Sequence, residues 1–85
     1  MSRLIIDVRE PQEYSSGHVQ GSLNIPPSKL IGDLAELTGV PKDTEIILYC
    51  LSGSRSAVAR NILQNMGYTN VKNGINQDHV KAKYL

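Results

Sequence analysis

The sequence predicts an α/β fold, with a central, mostly parallel sheet of about four strands and helices on both faces. Three observations predict it. Short, β-branched apolar runs alternate with segments of helical spacing along the 85 residues. The run Ile46-Ile47-Leu48-Tyr49 is continuously apolar, which suits a strand buried on both faces. A small polar loop follows it, and from Ser56 onward apolar residues recur at helical spacing.

Leu4-Ile5-Ile6-Asp7-Val8 reads as the first buried strand. Pro11 is placed for the first turn of a short helix, Pro11-Gln12-Glu13-Tyr14, and Gly17 for its C′ residue. Residues Ser22 to Pro26 form a second short strand, which Pro26 and Pro27 end. A helix then runs to Leu37, with Leu30, Leu34 and Leu37 as its core stripe and Gly32 weakening it slightly.

Ile46 to Tyr49 is the central strand. The helix Ser56 to Met66 carries Val58, Ala59, Ile62, Leu63 and Met66 toward the core, and Gly67 ends it. Tyr68 to Lys72 reads as the last strand, and Asn73-Gly74 as a turn. The tail from Ile75 reads as a short helix, packing through Ile75, His79, Val80 and Tyr84.

Residues 1–85 form one domain, small but able to fold alone. A net charge of +1 points to neither nucleic acid nor an acidic partner. Four Tyr without Trp or Phe supply few stacking platforms, which argues against a single-strand nucleic-acid reader. A single cysteine forms no internal disulfide. No apolar run approaches the ~20 residues that span a bilayer, and no basic-then-apolar leader is visible. The reading is a cytoplasmic monomer. The alternative is a periplasmic mature form whose leader has been removed, which the abrupt start of the first strand would fit.

Cys50 stands at the carboxyl end of the central strand, where open α/β sheets bind ligands. A lone cysteine there is most often an inert core residue. The residues behind it argue otherwise. Gly53 permits a tight turn, Ser52, Ser54 and Ser56 are small donors, and Arg55 brings a fixed charge. A loop closing on a helix N-terminus can aim several N–H groups, from Leu51 onward, into one cup. In such surroundings a thiol falls from about 8.5 to roughly 3.5–7.5. Asp7 and Arg9 lie near a neighbouring strand end, where an ion pair would brace the loops rather than react. His18 and His79 lack metal-ligand spacing with Cys50.

Three stretches together resemble the rhodanese family of sulfurtransferases: Leu4 to Tyr14, Gly17 to Pro26, and Cys50-Leu51-Ser52-Gly53-Ser54-Arg55-Ser56. Their order and spacing agree with the family's small single-domain bacterial members and cover nearly the whole chain. The resemblance implies a three-layer rhodanese-like fold. It implies a Cys50 nucleophile that takes sulfane sulfur from a donor such as thiosulfate and passes it, as a persulfide, to cyanide or a thiol. The partners implied are a small anionic sulfur donor and a thiol or cyanide acceptor, with a protein donor or acceptor as a variant. Leu51 to Ser56 would bind the substrate, Asp7 and Arg9 would brace the site, and no metal or organic cofactor is needed.

Two departures stand out. Asn73-Gly74 replaces the family's Gly-Gly pair, with His79 near the place of a tryptophan. Glu13 stands where two-domain members carry a substrate-contacting arginine.

Rival readings stay open at this point. A cysteine phosphatase of similar fold needs five residues between Cys and Arg, against four here. Non-catalytic binding modules and sulfur-relay proteins share the fold.

Overall fold

The computed structural model describes residues 3–31 and 37–85. In chain order the elements are β1 (Arg3–Asp7), α1 (Pro11–Ser15), β2 (Leu23–Asn24), α2 (Pro27–Ile31), β3 (Glu45–Tyr49), α3 (Ser54–Asn65), β4 (Val71–Ile75) and α4 (Gln77–Tyr84). The strands form one sheet in the order β2-β1-β3-β4, and every neighbouring pair is parallel. Among the described residues no helix is long and apolar enough to cross a membrane.

The period-2 pleat divides the apolar residues between two cores. Ile6, Val8, Ile46, Leu48 and Cys50 face a core shared with Leu30 of α2 and with Ala59 and Leu63 of α3. Ile47 and Tyr49 face the other side, against Val19 and against Val80 of α4, with Ile5 and Tyr84 at its margin. Ile46, Ile47, Leu48 and Tyr49 are all fully buried. Each such aliphatic side chain contributes about 1.5–3 kcal/mol relative to exposure. This two-sided burial is why the run is continuously apolar.

Two expectations change. The buried stripe of α3 is Ser56, Ala59 and Leu63, with Ile62 half-buried. Val58 and Met66, expected in the core, are 54% and 41% exposed. Val58 lies a full helical step off the Ala59 face, and Met66 is the C-cap beyond the last turn. Of the stripe expected from Leu30 to Leu37, Leu30 in α2 and Leu37 beyond it are buried as expected, whereas Leu34 and Gly32 lie outside the described residues.

The second change matters most. Asn73-Gly74 is not a turn but the interior of β4, where the register with β3 slips by one residue: Leu48 pairs with Asn73, and Tyr49 with Ile75. Gly74 occupies the bulge. A Cβ there would lie 2.7 Å from Val80 Cγ2, 2.8 Å from Ile47 Cγ2 and 3.1 Å from the Leu48 carbonyl. The glycine is dictated by the close approach of α4 and β3, not by a reversal of the chain. Gly74→Ala should therefore destabilise the fold by about 1–3 kcal/mol through overpacking. The check is a denaturant midpoint lowered at constant slope; an unchanged midpoint would show that the bulge has room.

Candidate active site

Parallel pairing brings three strand ends to one edge. Asp7 of β1 lies opposite Tyr49 of β3, and Tyr49 opposite Ile75 of β4. Cys50 directly follows β3, and its N–H donates to the Ile75 carbonyl at 3.0 Å. The thiol is thus anchored by the last rung of the ladder.

Beyond Cys50 the chain folds back at once. Gly53 has φ of +93°, the left-handed conformation that glycine adopts without strain, and α3 begins at the next residue. The helix starts two residues before its expected first residue, so its unbonded amides lie inside the loop. The Gly53 N–H donates to Cys50 Sγ at 3.1 Å, and Ser56 Oγ lies 3.5 Å from the sulfur. Ser52 and Ser54 do not add hydroxyl donors to the sulfur as expected. Both are exposed, and their hydroxyls lie 3.3 Å from each other.

Cys50 is only 1% exposed, yet it lines a depression of about 310 Å³ together with Leu51, Asn76, Gln77 and Asp78. Burial pushes the thiol up. The Ser56 hydroxyl and the amides of Ser56, Ser52 and Gly53 together outweigh burial, lowering Cys50 to about 7. The sulfur is desolvated, but by groups that favour its negative form.

Arg55 feels the charge of Cys50 but takes its hydrogen-bond partner elsewhere. Its guanidinium makes a two-point bond to the Glu13 carboxylate of α1, at 2.8 and 3.1 Å. That bond, with the Glu10 N–H, holds Glu13 well below the usual carboxylate range, at about 2. The fixed charge of Arg55 is therefore largely compensated. No cation stands among the described residues lining the mouth, and Asp78 adds a carboxylate there.

Asp7 and Arg9 form a buried ion pair beneath the site, 0% and 5% exposed. Arg9 Nε and Nη2 donate to Asp7 at 2.9 and 2.7 Å, and Nη2 also reaches the Gly17 carbonyl. The Tyr49 hydroxyl donates to Asp7 Oδ2 at 2.9 Å and accepts the Val19 N–H at 3.0 Å. Burial raises the Tyr49 phenol, keeping its proton available for that bond. The pair thereby ties the β1 end and the Gly17–Val19 loop to the residue just before Cys50.

Five contributors were not read from the sequence. Tyr49 looked like one more apolar strand residue. Asn73 was hidden by the turn reading of Asn-Gly. Asn76, Gln77 and Asp78 carried a usable signal, since an Asn N-cap followed by an acidic first turn opens a helix.

The pH dependence of Cys50 alkylation checks the electrostatics. Only the thiolate reacts, so the rate should climb as pH rises and reach half its plateau near 7. A midpoint at the free-thiol value of about 8.5 would mean that the loop gives the sulfur no help.

Comparison with known proteins agrees with this geometry. The family model for the rhodanese-like domain matches residues 1–76. The thiosulfate sulfurtransferase PspE of Escherichia coli is 45% identical over 69 residues, 80% of this chain and 64% of PspE. The thiosulfate:glutathione sulfurtransferase of Saccharomyces cerevisiae is 38% identical over 77 residues, 79% of this chain and 55% of that protein. The chain thus spans between about half and two thirds of the length of these relatives. A solved structure described as a rhodanese with anions from E. coli superposes with a TM-score of 0.80 at 37% identity, covering 92% of this chain and 91% of that one. By sequence, by fold and by the loop that closes on Cys50, the chain belongs to the rhodanese-like domain family.

Proposed function

We propose that the protein is a thiosulfate sulfurtransferase that carries sulfane sulfur on Cys50. The observation that carries this reading is the amide hydrogen of Gly53 on the Cys50 sulfur, reinforced by Ser56 and Ser52, beside a depression that Cys50 lines. The names of the E. coli and yeast relatives support the same activity.

The chemistry is two displacements at sulfur. The Cys50 thiolate attacks the outer sulfur of thiosulfate, a new S–S bond forms, and sulfite leaves with the electron pair of the old one. The persulfide so formed ends in a negative sulfur. An acceptor nucleophile, cyanide or a thiolate, then attacks that sulfur, and Cys50 departs as the thiolate. Neither step needs an external oxidant or reductant. A leaving thiol near neutrality suits the second step, and a basic enough sulfur suits the first.

Amides from Leu51 to Ser56 stabilise the terminal sulfur, because fixed dipoles in a desolvated cup cost no reorganisation when charge arrives. Arg55, compensated by Glu13, shapes the loop more than it attracts the donor. Asp7 and Arg9 brace the strand ends through Tyr49.

Intact mass after thiosulfate treatment tests the reading. The mass should rise by one sulfur atom and return on adding cyanide, and Cys50→Ser should show neither change. An unchanged mass would refute thiosulfate as donor. A gain that appears only with a protein persulfide would move the chain to the sulfur-relay class. A gain retained in Cys50→Ser would place the chemistry elsewhere.

A further inference from the structure

Asn73 makes three hydrogen bonds at the back of the Cys50 loop. Its Nδ2 donates to the Gly53 carbonyl at 3.0 Å, and its Oδ1 accepts the Ile75 N–H at 3.0 Å. Those two backbone partners fix which end of the amide is oxygen. The third bond is the short one: Ser56 Oγ lies 2.6 Å from Oδ1. An amide oxygen only accepts, so the single hydroxyl hydrogen of Ser56 points at Asn73. The Cys50 sulfur, 3.5 Å from the same Oγ, faces a lone pair.

The consequence differs between the two states of the sulfur. A thiol gives its hydrogen to Ser56 Oγ, which gives its own to Asn73, and the bonds of such a chain reinforce one another. A thiolate has no hydrogen to give and is repelled by the lone pair unless the hydroxyl swings round to it. That swing strips Oδ1 of one donor and leaves it the Ile75 N–H alone.

We propose that Asn73 is a positioning residue for Cys50: its Oδ1 competes with the sulfur for the Ser56 hydroxyl hydrogen while its Nδ2 anchors the loop at Gly53. The hydroxyl follows the charge, turning to Cys50 Sγ in the thiolate and back to Asn73 when Sγ carries a proton or a second sulfur. The competition keeps the sulfur from becoming too acidic. Nucleophilicity falls with thiol acidity, and an attacking thiol works best when it titrates near the ambient pH.

This role rests on the reading of Cys50 as the sulfur carrier, but its test does not. Among the described residues, the charged groups around the sulfur are Arg55 of α3, held by Glu13 of α1, and Asp78 of α4, which lines the same depression. The Asp7–Arg9 pair at the β1 end is compensated internally. The hydrogen bonds of Asn73 go to Gly53, Ser56 and Ile75 and to none of these groups.

The experiment is the pH profile of iodoacetamide alkylation in the parent protein, Asn73→Ala, Ser56→Ala and the double variant. Freed from its competitor, the hydroxyl serves the thiolate, so Asn73→Ala should lower the midpoint by about half a unit to one unit. Ser56→Ala should raise the midpoint, and Asn73→Ala should then add no downward shift, because the two residues act as one unit. An unchanged or raised midpoint in Asn73→Ala, or the same downward shift with Ser56 absent, overturns the proposal. Should Asn73→Ala fail to fold, Asn73→Val supplies a strand former without donor or acceptor and carries the same expectation. A shifted midpoint in a protein that gains no sulfur from thiosulfate would sink the sulfurtransferase reading alone. Sulfur gain with an unshifted midpoint would sink the role of Asn73 alone.

Discussion

The amide hydrogen that Gly53 lends to the Cys50 sulfur is the contact around which this small molecule is arranged. It exists because Gly53 adopts a left-handed backbone that puts α3 directly behind the thiol. A side chain there would be strained by φ alone, and its Cβ would come within 3.4 Å of Ile75 Cγ2. Loss of the turn would leave a buried thiol with desolvation and little to offset it. The sulfur would then titrate above the free value, as buried apolar thiols do.

The remainder of the fold serves that turn from two sides. On one side, β1 and β3 end together, and the Asp7–Arg9–Tyr49 network locks both ends to the Gly17–Val19 loop. Separating such a pair by removing one partner strands a charge in the interior, typically at a cost of about 3–5 kcal/mol. On the other side, β4 bulges at Gly74, and Ile75 is held at φ of +71°. A β-branched residue in that region is strained by roughly 1–3 kcal/mol. The strain is contained by the Cys50 N–H on the Ile75 carbonyl, the Ile75 N–H on Asn73 Oδ1, and the Asn76 N–H on the Gly74 carbonyl. The strained residue therefore sits directly beside the thiol, consistent with the site being over-determined by its surroundings.

Much of this was legible from residue patterns, and the reason is physical. Ile46 to Tyr49 is apolar without alternation because both faces of β3 are covered, so the buried central strand could be read directly. Cys50, Gly53 and Ser56 are local in sequence, and one turn of chain brings them together. The misreadings involve contacts that span the chain. Asn73-Gly74 has the composition of a reversal, and only the approach of Val80 and Ile47 shows why glycine is needed inside a strand. The fixed charge of Arg55 looked uncompensated because its partner, Glu13, lies 42 residues away on α1. Tyr49 gave no polar signal, since its hydroxyl reaches across the sheet to Asp7.

The central claim is that the loop amides are set to receive a negative sulfur carried by Cys50. An experimental structure of the thiosulfate-treated protein tests it most directly. The account requires a second sulfur bonded to Cys50 Sγ and lying within hydrogen-bond distance of backbone N–H groups between Leu51 and Ser56. A bare Cys50, or an added sulfur turned away from those amides, would contradict it.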